Sequence, residues 1–558
     1  MNKKRQVIII GLDGADFGLL DQEIAAGRLP TLKRILTEGV KAPLRSTVPP
    51  LTFPAWVTFA TGVNPGKHGI FDFTEKIPGS YGIRFVNARW RRVPCFWHTL
   101  SEKGFRVAVG GVPVTYPPEP INGVLVCGFD APGVGGGKID RGSVYPPEFF
   151  DRLTAKFPNY WLGANVIAFG EDYERIGSRL IEVLKTRLET LLWLYQQEDW
   201  DCFVGVIGET DAVCHYFWRF YDSLSPFYRP EKRPLGNFVS RVYQMVDSFL
   251  EKLESLRRPE SVLILISDHG MGPVGHTVVR LNAFLAEKGF LKFRSKGPLY
   301  RNIDLLKKYG LRYTPPFFKR FLFRHTGIVN LLEGKLRFGH LKWSKTLAYS
   351  EESPQFPCVY LNVRGREPNG VVSAEDYYRV ARDIKAALEE LSTVDGKRLV
   401  RRAYLREEIY SGPAVERAPD ILIEWNYETP HSPPIFLKSE PSSPPVEEIS
   451  SLPESLLVNR TACHRPQGIF IAHGQRILKK EIFPSLMDIA PTVMALISGE
   501  KVAFHEGKVL SEIFEDISDS IAKASGSRLE SGSRENQEHM TQEEEKAIKN
   551  KLRSLGYL

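Results

Sequence analysis

Near the middle of the chain, Val262–Ile266 places five apolar residues in a row, and the run stops at Ser267-Asp268-His269-Gly270-Met271-Gly272. A short unbroken apolar run bounded by turn residues suits a strand buried on both faces of a parallel sheet. Its ending constrains the chain further, because ligands of open α/β sheets bind beyond the carboxyl ends of the strands. Taken alone, the pair is explained equally well by a turn cap at Asp268 and a hydrogen-bonded structural His269. The rest of the chain has to decide.

The pattern recurs. Val7–Leu12 reads as a buried strand ending at Asp13-Gly14, and Cys202–Ile207 leads into Gly208-Glu209-Thr210-Asp211. Between such runs lie helical stretches, among them Pro30–Gly39, Tyr173–Tyr195, Phe238–Leu256 and Leu281–Gly289. Thr52 stands at the N-cap position of an apolar helix ending at Thr61-Gly62, with Pro54 in its first turn. Ala42–Val48, Arg106–Val109 and Val124–Cys127 add extended segments. Later strands are expected at Cys358–Val363, Leu399–Tyr404, Asp420–Trp425 and Gly468–Ala472, with helices at Ala374–Leu391 and Ser485–Ile497. The alternation predicts an α/β fold with a mostly parallel central sheet flanked by helices. Thr429–Glu454, with seven prolines, reads as a loop.

Charge divides the chain. Leu291–Lys345 holds 14 lysines and arginines against Asp304 and Glu333, a local charge of +12, whereas the whole chain carries +8. This segment is also rich in aromatics, and it reads as an inserted basic cap. It is either a helical cap with inward aromatics and solvated cations, the reading we favour, or a face for nucleic acid or a membrane surface. The expected layout is a catalytic domain over 1–290 and 346–500, the insert at 291–345, a polar linker at 518–540 and a terminal helix within 541–558. Six scattered cysteines without a Cys-x-x-Cys pair argue against a disulfide framework. No stretch approaches the roughly 20 apolar residues of a membrane span, so a cytoplasmic protein is expected.

The polar strand ends carry the chemistry. Asp13, Asp211 and Asp268-His269 follow three of the strands, and His464 precedes the last one. Asp211 and His215 stand at i, i+4, which puts both on one face if the segment is helical. Each has an ordinary structural explanation by itself. Together, three aspartates and three histidines are enough N/O donors for two divalent ions, zinc before manganese. A hydroxyl at a helix N-terminus, as at Thr52, is a poor nucleophile until a metal lowers its pKa.

Gly11-Leu12-Asp13-Gly14, Thr52-Phe53-Pro54, Asn64-Pro65-Gly66-Lys67-His68-Gly69-Ile70, Asp211-x-x-x-His215, Ser267-Asp268-His269-Gly270-Met271 and His464 occur in one order. That order resembles the type I phosphodiesterase/nucleotide pyrophosphatase branch of the alkaline phosphatase superfamily. More closely, the chain is similar to bacterial and archaeal members described as predicted phosphohydrolases or phosphomutases. Glu416–Asp420, Asp488–Thr492 and the Leu552–Leu558 ending share the likeness. The resemblance implies an alkaline phosphatase-like sandwich. It also implies one metal held by Asp211, His215 and His464, and the other by Asp13, Asp268, His269 and the Thr52 oxygen. Thr52 would then attack phosphorus and form a phospho-threonine intermediate, with the Phe53 N–H on a phosphoryl oxygen. His473 is a weaker competitor for the place of His464.

One position departs from the pattern. Nucleotide pyrophosphatases carry a phosphate-binding asparagine shortly after His-Gly-Ile, and Phe73 stands there in this chain. Arg45, Lys67 and His276 are candidate substitutes for that contact. The expected activity is phosphodiester hydrolysis of a small phosphoester, such as a nucleotide. A phosphomonoesterase or phosphomutase on the same metals is the alternative, and a basic docking protein acting through 291–345 is the second.

Overall fold

The structure, a computed structural model, describes residues 5–132, 137–294, 338–353, 355–428, 433–449, 453–515, 517 and 544–549. The central sheet has eight strands in the order Val40–Arg45, Gln467–His473, Val262–Ile266, Val7–Leu12, Cys202–Ile207, Val107–Gly110, Gly123–Val126 and Val144–Tyr145. The five from Val262–Ile266 to Gly123–Val126 are parallel neighbours. Gln467–His473 runs antiparallel to both of its neighbours, and Val144–Tyr145 runs antiparallel to Gly123–Val126. The expected mixed α/β architecture with a mostly parallel sheet is what forms.

The apolar runs explain why. Every residue of Val7–Leu12, Cys202–Ile207 and Val262–Ile266 is buried. Each Val, Leu or Ile removed from water contributes roughly 1.5–3 kcal/mol, so slipping these strands out of register would expose what holds them. Tyr173–Tyr195 lies on one face, with Asn237–Leu256 packed against it. The opposite face carries Thr52–Thr61, Phe96–Glu102 and Ile489–Ser498. The helix Thr52–Thr61 comes unusually close to the sheet. A Cβ at Gly11 would stand 2.3 Å from the ring of Trp56, so only glycine lets this helix settle over the first strand.

A smaller antiparallel sheet, in the order Ala348–Ser350, Val359–Leu361, Ile421–Trp425 and Val400–Leu405, carries the helix Tyr377–Glu389. At its heart Asp420 accepts from Arg366 (2.6 and 2.8 Å), Tyr377 (2.7 Å) and the Leu361 N–H (2.7 Å). The proline-rich stretch read as a loop contains two short strands, Ile435–Phe436 and Val446–Glu448, on either side of Thr277–Val279. They are edge strands of two and three residues, where flanking prolines cost no ladder bond. Such short pairs leave no periodicity to read.

Of the basic insert, residues 295–337 lie outside the described residues, as do the 518–540 linker and most of the expected terminal helix. The two ends of the insert meet in a bridge between Phe293 and Leu341. Trp343 stacks on Tyr81 at 3.7 Å, and Phe338 is buried against Tyr349. Among the described residues no helix is long and apolar enough to cross a membrane.

Candidate active site

The sheet register delivers the donors. Gly11 pairs with Ile266 and Leu12 with Ile207, and continuing that register two residues brings Asp13 level with Asp268. Gly14 then turns with φ +67°, and a Cβ there would sit 2.9 Å from Oδ1 of Asp211. The helix Glu209–Tyr221 starts directly after Cys202–Ile207, with Asp211 in its first turn and His215 one turn on. Because Gln467–His473 runs antiparallel, its beginning lies at the edge where the parallel strands end. Just ahead of it, Ala462–Arg465 pairs with Gly270–Pro273, Met271 opposite His464. His464 and His269 thereby stack at 3.5 Å with 13° between their rings.

Two buried clusters result, Asp211/His215/His464 and Asp13/Asp268/His269. In the first, Nε2 of His215 and Nε2 of His464 are 3.2 Å apart and lie 3.4 and 3.5 Å from Oδ1 of Asp211. In the second, Nε2 of His269 lies 3.2 Å from Oδ2 of Asp268, 3.6 Å from Oδ1 of Asp13 and 3.2 Å from the Thr52 hydroxyl. A tetrahedral zinc ion with bonds of about 2.0–2.1 Å separates its ligands by about 3.3 Å. Both clusters match that spacing.

Hydrogen bonding identifies the lone pairs. Nδ1 of His269 donates to the Gly270 carbonyl at 3.0 Å, and Nδ1 of His464 donates to the Pro50 carbonyl at 2.9 Å. Each ring therefore turns an unprotonated Nε2 toward the carboxylates. Oδ1 of Asp13 and Oδ2 of Asp268 are buried and receive no hydrogen bond among the described residues. Acceptors converging on acceptors away from water are costly, and a cation is what this donor set fits.

The charges carry the same signature. Burial, then the charges of Asp268 and Asp211, pushes the Asp13 carboxyl well above its usual range. Burial also pushes Asp268 up to about 6, with Asp211 adding to the rise and His269 opposing it. Burial opposes ionisation of Asp211 too, but His215 foremost, by charge and hydrogen bond, outweighs it and holds that carboxyl below its usual range. Burial and neighbouring His269 keep the His464 imidazole neutral.

Thr52 was expected at the N-cap. The helix instead spans Thr52–Thr61 with extended Leu51 as its cap, so Thr52 is the first helical residue and its hydroxyl points to His269 rather than back into the helix. The leading N–H groups of Thr52 and Phe53 have no acceptor inside the helix. The Phe53 ring is buried against Phe73, 4.3 Å between centroids, with Phe129 at 6.2 Å.

The weaker candidates are not drawn into this centre. Lys67 is engaged with Glu506 at 2.9 Å, and the Arg45 side chain is exposed at the end of its edge strand. His276 lies in the turn before Thr277–Val279, its carbonyl taken by Ile449. His473 ends the antiparallel strand, away from the centre, and bonds Glu38 at 3.0 Å and Arg257 at 3.1 Å.

Other residues support the donors without having been singled out. The Trp56 indole donates to Oδ2 of Asp13 at 3.1 Å. Ser267 accepts from the Ala15 N–H and donates to the His269 carbonyl, and Thr461 donates to the His215 carbonyl. Trp56 stands four residues after Thr52, one helical turn along the same face, which was a readable signal; the carbonyls of Pro50 and Gly270 left none.

Comparison with known proteins now adds the family. A family model described as type I phosphodiesterase/nucleotide pyrophosphatase matches residues 7–429. The chain belongs to the type I phosphodiesterase family. It is by that membership an enzyme, a metal-dependent phosphoric ester hydrolase. The family match takes in Asp13, Thr52, Asp211, His215, Asp268 and His269, while His464 lies beyond it. Phosphonoacetate hydrolase from Sinorhizobium meliloti 1021, solved with phosphonoformate, is similar to this phosphodiesterase-family chain with a TM-score of 0.52 and 18% identity, over 88% of this chain and 95% of that one. Murine ectonucleotide pyrophosphatase/phosphodiesterase 5, solved as an inactive variant with AMP, gives a TM-score of 0.44 and 12% identity over 89% and 95% of the two chains. At 18% identity the likeness to the phosphonoacetate hydrolase is one of fold. Comparison with curated proteins gives no match.

Proposed function

We propose that the enzyme is a two-metal phosphodiesterase working through a phospho-threonine at Thr52. The observation that carries this is the Thr52 hydroxyl, placed 3.2 Å from the lone pair of His269 at the head of a helix. Asp13, Asp268, His269 and the Thr52 oxygen would hold one divalent ion, and Asp211, His215 and His464 the other. Such a pair, zinc before manganese, supplies positive charge that lowers the pKa of a hydroxyl or a water and offsets charge on the phosphoryl group.

The residues then act in sequence. Thr52 Oγ1, whose proton passes to solvent as the hydroxyl ionises, forms a bond to phosphorus in line with the departing ester oxygen, which leaves with the electron pair and takes a proton from water. The unpaired Phe53 N–H faces an equatorial phosphoryl oxygen at the positive end of the helix. In the second half, water attacks the phospho-threonine from the side of Asp211, His215 and His464, and Thr52 recovers its proton. Aromatic rings of Phe53, Phe73 and Phe129 wall this end of the helix. They suit the second organic substituent of a diester better than the extra charge of a monoester, which needs another donor.

A small phosphodiester or nucleotide is the substrate class this reading favours. Residues 1–290 and 346–500 act as one catalytic unit, since the strand Gln467–His473 completes the sheet beside Val262–Ile266. Six free thiols accord with a reducing, cytoplasmic setting. The test is turnover of bis-p-nitrophenyl and mono-p-nitrophenyl phosphate with zinc or manganese. Wild type should prefer the diester, and Thr52→Ala should release neither product. Equal release by the two proteins would overturn the nucleophile assignment, and preference for the monoester would overturn the diesterase reading.

A further inference from the structure

Beside the Asp211/His215/His464 cluster, a cavity of about 20 Å³ is lined by His215, Gln355, Phe436, Asn459, Arg460 and Cys463. Among the described residues Arg460 is the only lysine or arginine lining it. Arg460 is half-buried, and among the described residues its one side-chain hydrogen bond goes from Nη1 to the Phe436 carbonyl at 3.2 Å. Among the described residues no carboxylate pairs with it. Burial, with no anion to offset it, lowers its pKa. An arginine withdrawn from water without a counter-charge is costly, and this one is held in place. The next residue, Thr461, binds the His215 carbonyl through both its N–H (3.3 Å) and its hydroxyl (2.9 Å), so Arg460 moves with the metal-ligand helix.

The position of Thr52 says which part of a substrate would meet it. Thr52 lies at the Asp13/Asp268/His269 cluster. In an in-line displacement the departing oxygen is opposite the attacking one, hence on the side of Asp211, His215 and His464. We propose that Arg460 is a specificity residue that binds an anionic group, a carboxylate or a phosphate, carried by the leaving group. The preferred substrates are therefore phosphoesters whose alcohol has a second anion close to the scissile oxygen. Cleavage releases that anionic alcohol, its oxygen taking a proton from water. A guanidinium fork meets either anion with two parallel hydrogen bonds.

This inference rests on the phosphoester reading above, and a binding measurement separates the two. Zinc-loaded Thr52→Ala protein, which retains the cavity, is titrated calorimetrically with the methyl diester of glycerol 3-phosphate and the matching methyl diesters of 3-phosphoglycerate and glycerol 1,3-bisphosphate. The last two add a carboxylate or a phosphate to the first. At least one should bind about tenfold or more tightly than the first, and which one distinguishes carboxylate from phosphate. Adding Arg460→Met should collapse the preference toward one, and adding Arg460→Lys should restore part of it. Circular dichroism and bound zinc identify a variant that fails to fold, in which case Arg460→Gln takes its place. An equal preference with and without Arg460, or no preference at all, overturns the proposal. If wild type turns over no phosphoester with either metal, the hydrolase reading fails while the binding result still decides the role of Arg460.

Discussion

Oγ1 of Thr52 lies 3.2 Å from Nε2 of His269, a contact between residues 217 positions apart. The ring nitrogen on the other side is committed to the Gly270 carbonyl, so Nε2 approaches the hydroxyl with its lone pair. Thr52→Ser keeps an oxygen at this place and should retain turnover within about tenfold of wild type. Thr52→Ala should lose about 10³-fold or more in kcat. Steady-state turnover of bis-p-nitrophenyl phosphate, with bound zinc measured in the same samples, checks both.

The buried carboxylates predict how metal and acid act on stability. Asp268 rises from 3.8 to about 6 in the folded chain without metal. Between those values the folded protein binds more protons than the unfolded one, so its stability falls as pH climbs from about 4 to 6. After chelator treatment, melting should therefore be higher at pH 5 than at pH 7.5. Zinc at about 100 times its dissociation constant should add about 2.7 kcal/mol at pH 7.5 and erase the difference. Calorimetric melting with and without zinc at the two pH values would reveal it, and identical curves would dismiss a metal centre here.

Trp56 holds Asp13 in place through its indole N–H. Trp56→Phe keeps most of the ring volume but leaves Oδ2 of Asp13 without its donor. Loss of such an orienting bond weakens metal affinity by about 10–100-fold. The variant should retain one tightly bound ion and hold the other weakly, which a competitive chelator titration resolves.

Asp420 bears on the fold and not on the chemistry. Burial opposes its charge, but Arg366, Arg406 and Tyr377 outweigh burial and hold the carboxyl below its usual range. Its contribution is complete above about pH 3.8, the ordinary value, and is lost as pH falls below it. Asp420→Asn takes from Arg366 its two-pronged partner and leaves it Glu367 as charge partner, which should cost about 2 kcal/mol at neutral pH. It should also flatten the loss of stability below pH 4. Urea unfolding at pH 7 and pH 3.5 tests both points.

How much of this was legible depended on whether the information was local. Asp268-His269 announced themselves because five apolar residues fix the strand and nothing in a buried strand explains its polar end. Asp211 and His215 followed from helical spacing. His464 needed the family resemblance, because its advantage over His473 lies in strand direction. The two histidines flank the same strand, and periodicity does not encode which way a strand runs. Lys67 looked available because Glu506, the residue that engages it, is far along the chain. Trp56 is core of an apolar helix, apart from one N–H that goes to Asp13. Thr52 was misplaced by one residue, within the usual ambiguity of helix ends, yet that residue turns a capping hydroxyl into one aimed at His269.

The last strand enters the sheet against the grain, and the order of synthesis gives that a consequence. A nascent chain that has reached Gly270 already holds Asp13, Asp268 and His269, together with Thr52 every donor of the cage proposed for the nucleophile. The other cage waits for His464. Under the proposed two-metal mechanism an unfinished chain would thus gather a metal early, but would acquire the means to release a product only when the strand Gln467–His473 arrives.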